Sequence, residues 1–186
     1  SMGFKAFHLT GRNNVIIKNI EIKAFHCGIC LSESSNNSIS RNNITANSWY
    51  GICLDNSPNN SIYGNNITAN SPGVVVGINL YKSSNNTIFG NNITNNTRGV
   101  SVFDSSNNSI SGNNITNNEW SGIYLSNSSF NTIAENNVTN SKWGIGLMYS
   151  SNSNGIFGNS ITNNECGTGL CSSSNNVLRN LSLIHI

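Results

Sequence analysis

Residues 105–118 read SSNNSISGNNITNN, and close copies of that stretch return along most of the chain. Aligned on the paired asparagines, Asn13-Asn14, Asn36-Asn37, Asn59-Asn60, Asn85-Asn86 and Asn107-Asn108 share a column, continued by Phe130-Asn131, Ser153-Asn154 and Asn175-Asn176. Successive members lie 23, 23, 26, 22, 23, 23 and 22 residues apart. A fixed period of that length marks a solenoid, whose units bury their apolar faces only by stacking on one another.

Four apolar columns run through the repeat. The first holds Ile29, Ile52, Ile78, Val100, Ile123 and Ile145, and two residues on stand Leu31, Leu54, Leu80, Val102, Leu125, Leu147 and Leu170. The third is Ile16, Ile39, Ile62, Ile88, Ile110, Ile133, Ile156 and Leu178; the fourth is Ile44, Ile67, Ile93, Ile115, Val138 and Ile161. Alternation of two and β-branched side chains indicate strands. Three short strands per repeat, bent by Gly and Asn, make one coil of a parallel β-helix. The fold is therefore all-β, a right-handed single-stranded parallel β-helix of about seven coils, each 22–26 residues long. Gly64, Gly90, Gly112 and Gly158 precede the third strand, where positive φ is expected. Asn42, Asn65, Asn91, Asn113, Asn136 and Asn159 form a file that can hydrogen-bond from coil to coil and satisfy the bends. Seven coils at about 4.8 Å give a rod about 34 Å long. Each buried Ile or Leu contributes roughly 1.5–3 kcal/mol, which offsets the ordering of so polar a repeat.

Of 186 residues 40 are asparagine and only 9% are charged. Helix formers are scarce, and fixed apolar columns argue against disorder. A formal charge of +2 with no Lys/Arg cluster gives no footprint for nucleic acid. No apolar run approaches the roughly 20 residues of a membrane span. The reading divides the chain into an irregular partial coil at 1–12, with Ser1-Met2 an expression remnant, the β-helix at 13–180, and a non-native tail at 181–186. That tail, LSLIHI, looks like a translated sequencing adapter, so the chain is expected to be a fragment. Neither end carries a visible cap, so self-association through the ends is expected.

The pattern G-I-x-L-x-x-S-x-N-N-x-I-x-G-N-N-I-T-x-N, as in Gly122 to Asn140 with its flanks, resembles the right-handed β-helix repeats of the NosD-like, carbohydrate-binding and sugar-hydrolase (pectin-lyase-like) group. Its Asn-rich form is similar to repeats of secreted and surface proteins. The resemblance covers residues 13–180 and implies the fold; the same repeats serve lyases, hydrolases, epimerases, copper-site maturation proteins and plain scaffolds. It implies an extracellular or cell-surface location, periplasmic on the NosD-like reading.

Candidate site residues concentrate in the loop that runs into each first strand. His26, Trp49, Val75, Thr97, Trp120, Lys142 and Glu165 share one column there, and Cys27, Tyr50, Val76, Arg98, Ser121, Trp143 and Cys166 the next. An insertion around Pro72 to Val76 interrupts them. Exposed aromatics beside a few charges are what sugar rings stack on, so Trp49, Tyr50, Arg98, Trp120, Lys142, Trp143 and Glu165 are the expected polysaccharide or glycan contacts. The competing reading makes these rings a cover for the tube.

For catalysis the chain offers two aspartates, Asp55 and Asp104, two coils apart, a separation unsuited to a nucleophile and acid pair. Lys142 with Glu165 could serve as base and partner, or as a solvated ion pair. The function expected is a non-catalytic scaffold that contacts carbohydrate, with a lyase- or hydrolase-like enzyme as the alternative and no cofactor. Five cysteines leave one unpaired in any disulfide scheme. Cys30 and Cys53 share an outward column, with His8 brought level by a looser alignment and His26 and Cys27 beside them. These five are where copper would sit on a NosD-like reading, in competition with a Cys30–Cys53 bridge or free thiols. Cys166 and Cys171 pose the same choice of bridge or free thiols. On the third strand, Asn43, Asn66, Asn92, Asn114 and Asn137 stand beside Thr45, Thr68, Thr94, Thr116, Thr139 and Thr162. Such ladders fit ice binding or a plain wet face, and N-x-S/T sequons arise from the same repeat.

Overall fold

The computed structural model describes residues 3–68 and 75–184, so Pro72 and most of the insertion lie outside the described residues. Each coil turns through three strands, for example Arg98–Phe103, Ser109–Ser111 and Asn114–Thr116. Every strand pairs in parallel with its counterparts in the adjacent coils, building three eight-stranded sheets. Among the described residues there is no helix, and so none long and apolar enough to cross a membrane.

The sheets hold eight strands where the repeat implied about seven coils, because Lys5–Thr10 supplies a strand ahead of Cys27–Ser32. At the other end Ser182–Ile184 pairs with Ser160–Thr162. Stacked strands thus run from Lys5 to Ile184, wider than the span 13–180.

The four apolar files meet inside the tube, and in the middle coils their members are sealed from solvent. One register differs from the sequence alignment. Ile17, not Ile16, stands level with Ile39; Ile16 pairs with Ser38 and is 64% exposed. The first spacing is therefore 22 residues, with Asn14 rather than Asn13 in the left-handed corner column of Asn36, Asn59, Asn85 and Asn107.

Two glycine columns have different causes. Gly112 has φ of +61° at a bend with open space around it. Gly99 points into the tube, where an added Cβ would lie 2.5 Å from Ile115 Cγ2 and 2.6 Å from the Gly122 carbonyl oxygen. Since Val100 also points inward, the alternation breaks between them. Arg98 and Ser101, three residues apart, consequently share the outer face, and Ser121 with Tyr124 and Trp143 with Gly146 do so for the same reason.

The corners are held by interior amide files. Asn113 Oδ1 accepts from the Asn91 backbone N–H and from Asn91 Nδ2, both at 3.0 Å, while Asn113 Nδ2 donates to Ile88 O and Asn136 Oδ1. Asn136 repeats this with Asn159. A second file runs through Asn37, Asn60, Asn86, Asn108, Asn131, Asn154 and Asn176, and a serine file through Ser34, Ser57, Ser83, Ser105, Ser128 and Ser151. In all three, donors on one coil reach acceptors on the coil that follows. The Asn43, Asn66, Asn92, Asn114 and Asn137 file on the wet face is hydrogen-bonded in the opposite sense, each Nδ2 donating back at 2.8 Å.

Candidate functional site

The outer face of the first sheet carries the irregular side chains, and the structure sorts them into separate groups. Arg98 projects outward from the strand Arg98–Phe103, its guanidinium carbon 4.6 Å from the Trp120 ring centroid and 4.5 Å from that of Tyr124. Burial between these rings pulls the guanidinium below its ordinary pKa, with the Tyr124 phenol opposing the shift. Among the described residues no carboxylate or other hydrogen-bond acceptor meets it. One coil on, Ser121 stands level with Arg98, and Trp143 stands level with Ser121. Gly146, level with Tyr124, contributes no side chain to the face, and a hollow of about 210 Å³ opens there. Arg98, Trp120, Ser121, Tyr124, Trp143 and Tyr149 surround it. The Ser121 hydroxyl lines this hollow, is buried, and has no hydrogen-bond partner.

Three expected contacts, Arg98, Trp120 and Trp143, thus converge. Trp49 and Tyr50 form a separate stack, centroids 5.7 Å apart, with His26 edge-on to Trp49 at 4.8 Å. Val75 and Val76 occupy the intervening coil with no ring, which divides the expected strip. Lys142 is exposed and borders a shallow recess with Thr97, Glu119 and Trp120. Glu165 lies by the last coil among Gly167, Leu178 and Leu183, away from the rings. Tyr124 and Tyr149 were not expected. Tyr124 falls three residues after Ser121, a spacing that simple alternation sends to the opposite face. Tyr63 and Phe89 stack on the second sheet, centroids 4.9 Å apart and planes 6° apart.

His8 is level with Cys30, and Cys30 with Cys53. The disulfide, however, joins Cys27 to Cys30 within one strand, Cα atoms 6.5 Å apart, in place of the Cys30–Cys53 bridge between coils. Gly28 and Ile29 both point inward, which brings the two flanking cysteines to the same side. Cys53 is left free, as are Cys166 and Cys171. Bridged sulfurs are not thiolate ligands, and among the described residues no three His, Cys, Asp or Glu side chains gather as a metal site. His26 Nδ1 instead lies 3.2 Å from Ser48 Oγ, and His8 Nε2 3.3 Å from Lys5 Nζ. Burial pushes the Cys53 thiol up to about 11, aided by the Asp55 charge and opposed by the Asn79 amide 3.7 Å away.

The family model for a right-handed beta helix region matches residues 5–156 and, overlapping, 76–184. The chain belongs to the right-handed β-helix family. Among solved structures, this β-helix resembles the D317A mutant of the periplasmic alginate epimerase AlgG, with a TM-score of 0.82 at 20% identity over 96% of this chain and 47% of that one. It also resembles DFA-IIIase from Arthrobacter chlorophenolicus A6 without its lid, with a TM-score of 0.69 at 12% identity over 94% and 59% of the two chains. The same enzyme in complex with GF2 gives 0.68 at 15% identity over 82% and 40%. This β-helix spans about half the length of these structures. At such identities the likeness is one of fold. No curated protein sequence matches it.

Proposed function

We propose that this β-helix contacts polysaccharide on the outer face of its first sheet and does not turn it over. The observation that carries this reading is the hollow between Trp120, Tyr124 and Trp143 with Arg98 in its wall. Sugar rings present apolar C–H faces that stack on indoles and hydroxyls that seek polar partners, and the hollow supplies both. Its volume is below the roughly 300–1,000 Å³ of sites that engulf a ligand, so it suits one ring of a chain lying along the rod. None of the residues around it is a carboxylate or a histidine, which favours contact over acid–base chemistry. A polysaccharide partner places the protein outside the cytoplasm, at the cell surface or in the periplasm.

Calorimetric titration with polysaccharide fragments tests the reading. Micromolar to millimolar binding is expected, and Trp120→Ala or Trp143→Ala should each reduce it about tenfold, the weight of one stacked ring. Unchanged affinity in both variants would refute it.

A second reading, polysaccharide modification, draws support from neighbours that are an epimerase and DFA-IIIase. It predicts cleavage or epimerisation of uronate polymers that is lost in Lys142→Ala or Glu165→Ala, measurable as new chain ends or altered sugar configuration.

A further inference from the structure

Arg98 and Ser121 each present unused hydrogen-bonding capacity to the same hollow. A guanidinium has five N–H donors, and rings cover only its faces, so its edge remains available to an acceptor. Arg98 is half-buried and meets no acceptor among the described residues. A hydroxyl buried without a partner carries a desolvation cost that an incoming oxygen relieves. Ser121 is 2% exposed and its Oγ has none. The two residues are register partners on adjacent strands, so they stand about 4.8 Å apart along the rod. Trp143 follows Ser121 by one further step of the same size. A cationic fork, a lone hydroxyl and an indole therefore succeed one another in a straight file.

We propose that this file is a subsite for an acidic sugar, in which Arg98 and Ser121 take the anionic group and Trp143 takes the face of the ring that bears it. The assignment rests on the carbohydrate reading above and sharpens it from sugar in general to anionic sugar. Arg98 donates through its N–H groups to one or both anion oxygens, and Ser121 donates its O–H to the nearer one. Partial desolvation between Trp120 and Tyr124 strengthens these charge-assisted bonds. A carboxylate and a sulfate ester share the required chemistry, one negative charge spread over oxygens.

The test is calorimetric titration at fixed salt with three fragments of one length: an oligouronate, its carboxyl-reduced neutral counterpart, and a sulfated neutral oligosaccharide. The acidic fragments should bind about tenfold or more tightly than the neutral one, as expected for one charge-assisted hydrogen bond. Whichever acid binds tighter identifies the anion. Ser121→Ala removes only an unpartnered hydroxyl and should fold normally, yet narrow the preference for acid; Arg98→Gln should abolish it. Trp143→Ala should weaken acidic and neutral fragments alike. Neutral fragments binding as tightly as acidic ones, with Trp143 still required, would overturn the anion subsite and leave the carbohydrate reading standing. So would an acid preference that survives in both Arg98→Gln and Ser121→Ala. Absence of binding by any fragment would remove both.

Discussion

Asn113 and Asn114 are adjacent, chemically identical, and each belongs to an amide file, yet one faces the interior and the other the solvent. Replacing each with alanine separates buried from exposed hydrogen bonding. Asn113 is 1% exposed, and its Oδ1 is the acceptor for the Asn91 backbone N–H at 3.0 Å. Asn113→Ala removes that acceptor from a buried donor, which costs about 1–3 kcal/mol. It also deletes bonds from Nδ2 to Ile88 O, Ser111 O and Asn136 Oδ1. Their net worth is about 1 kcal/mol, since neighbouring groups partly compensate, so the total is on the order of 2–4 kcal/mol. Asn114 exchanges bonds with Asn92 and Asn137 on the wet face, and water replaces them. Asn114→Ala should stay within about 0.5 kcal/mol. Equilibrium urea unfolding followed by circular dichroism measures both, provided the slope with denaturant is unchanged. Equal losses would mean that the interior file is not what holds the corners.

The remaining predictions address other columns. Gly99→Ala should lose roughly 1–3 kcal/mol, because the clashing carbonyl belongs to the next coil and yields only by moving it; a fully stable variant would refute the close approach. Phe130 holds φ of +58° in the corner column occupied elsewhere by Asn, so Phe130→Asn should raise stability by about 0.5–1 kcal/mol in the same urea assay. The thiolate is the reactive form and Cys53 sits at about 11, so near-neutral iodoacetamide should label exposed Cys171 first and reach Cys53 only as the pH climbs toward that value. Mass spectrometry of timed digests reads the order, and Cys53 labelling alongside Cys171 near neutral pH would contradict its burial.

The fold was legible because four apolar columns and the corner asparagines repeat seven times with one period, so a single misplaced residue does not spoil the pattern. The error fell where the repeat is weakest. In the first coil Val15 takes the place of the second asparagine and two isoleucines follow, which made Ile16 and Ile17 equivalent on paper; packing selects Ile17. The site was legible only in part. Arg98, Trp120 and Trp143 stood out as irregular residues before an invariant glycine position. Tyr124 did not, because the two consecutive inward residues that bring it beside Ser121 are a backbone feature that no alternation rule contains. The Cys27–Cys30 bridge escaped notice for the same reason.

The one-way sense of the interior amide files makes the rod a polar object. With each Oδ1 turned toward the preceding coil and each Nδ2 toward the following one, the dipoles of the stacked amides add along the axis, positive toward the C-terminal end. Two such rods can continue the file that passes through Asn176 only head to tail, since a two-fold arrangement would oppose donor to donor or acceptor to acceptor. A head-to-tail contact that repeats without rotating back on itself grows into a filament, not a closed dimer.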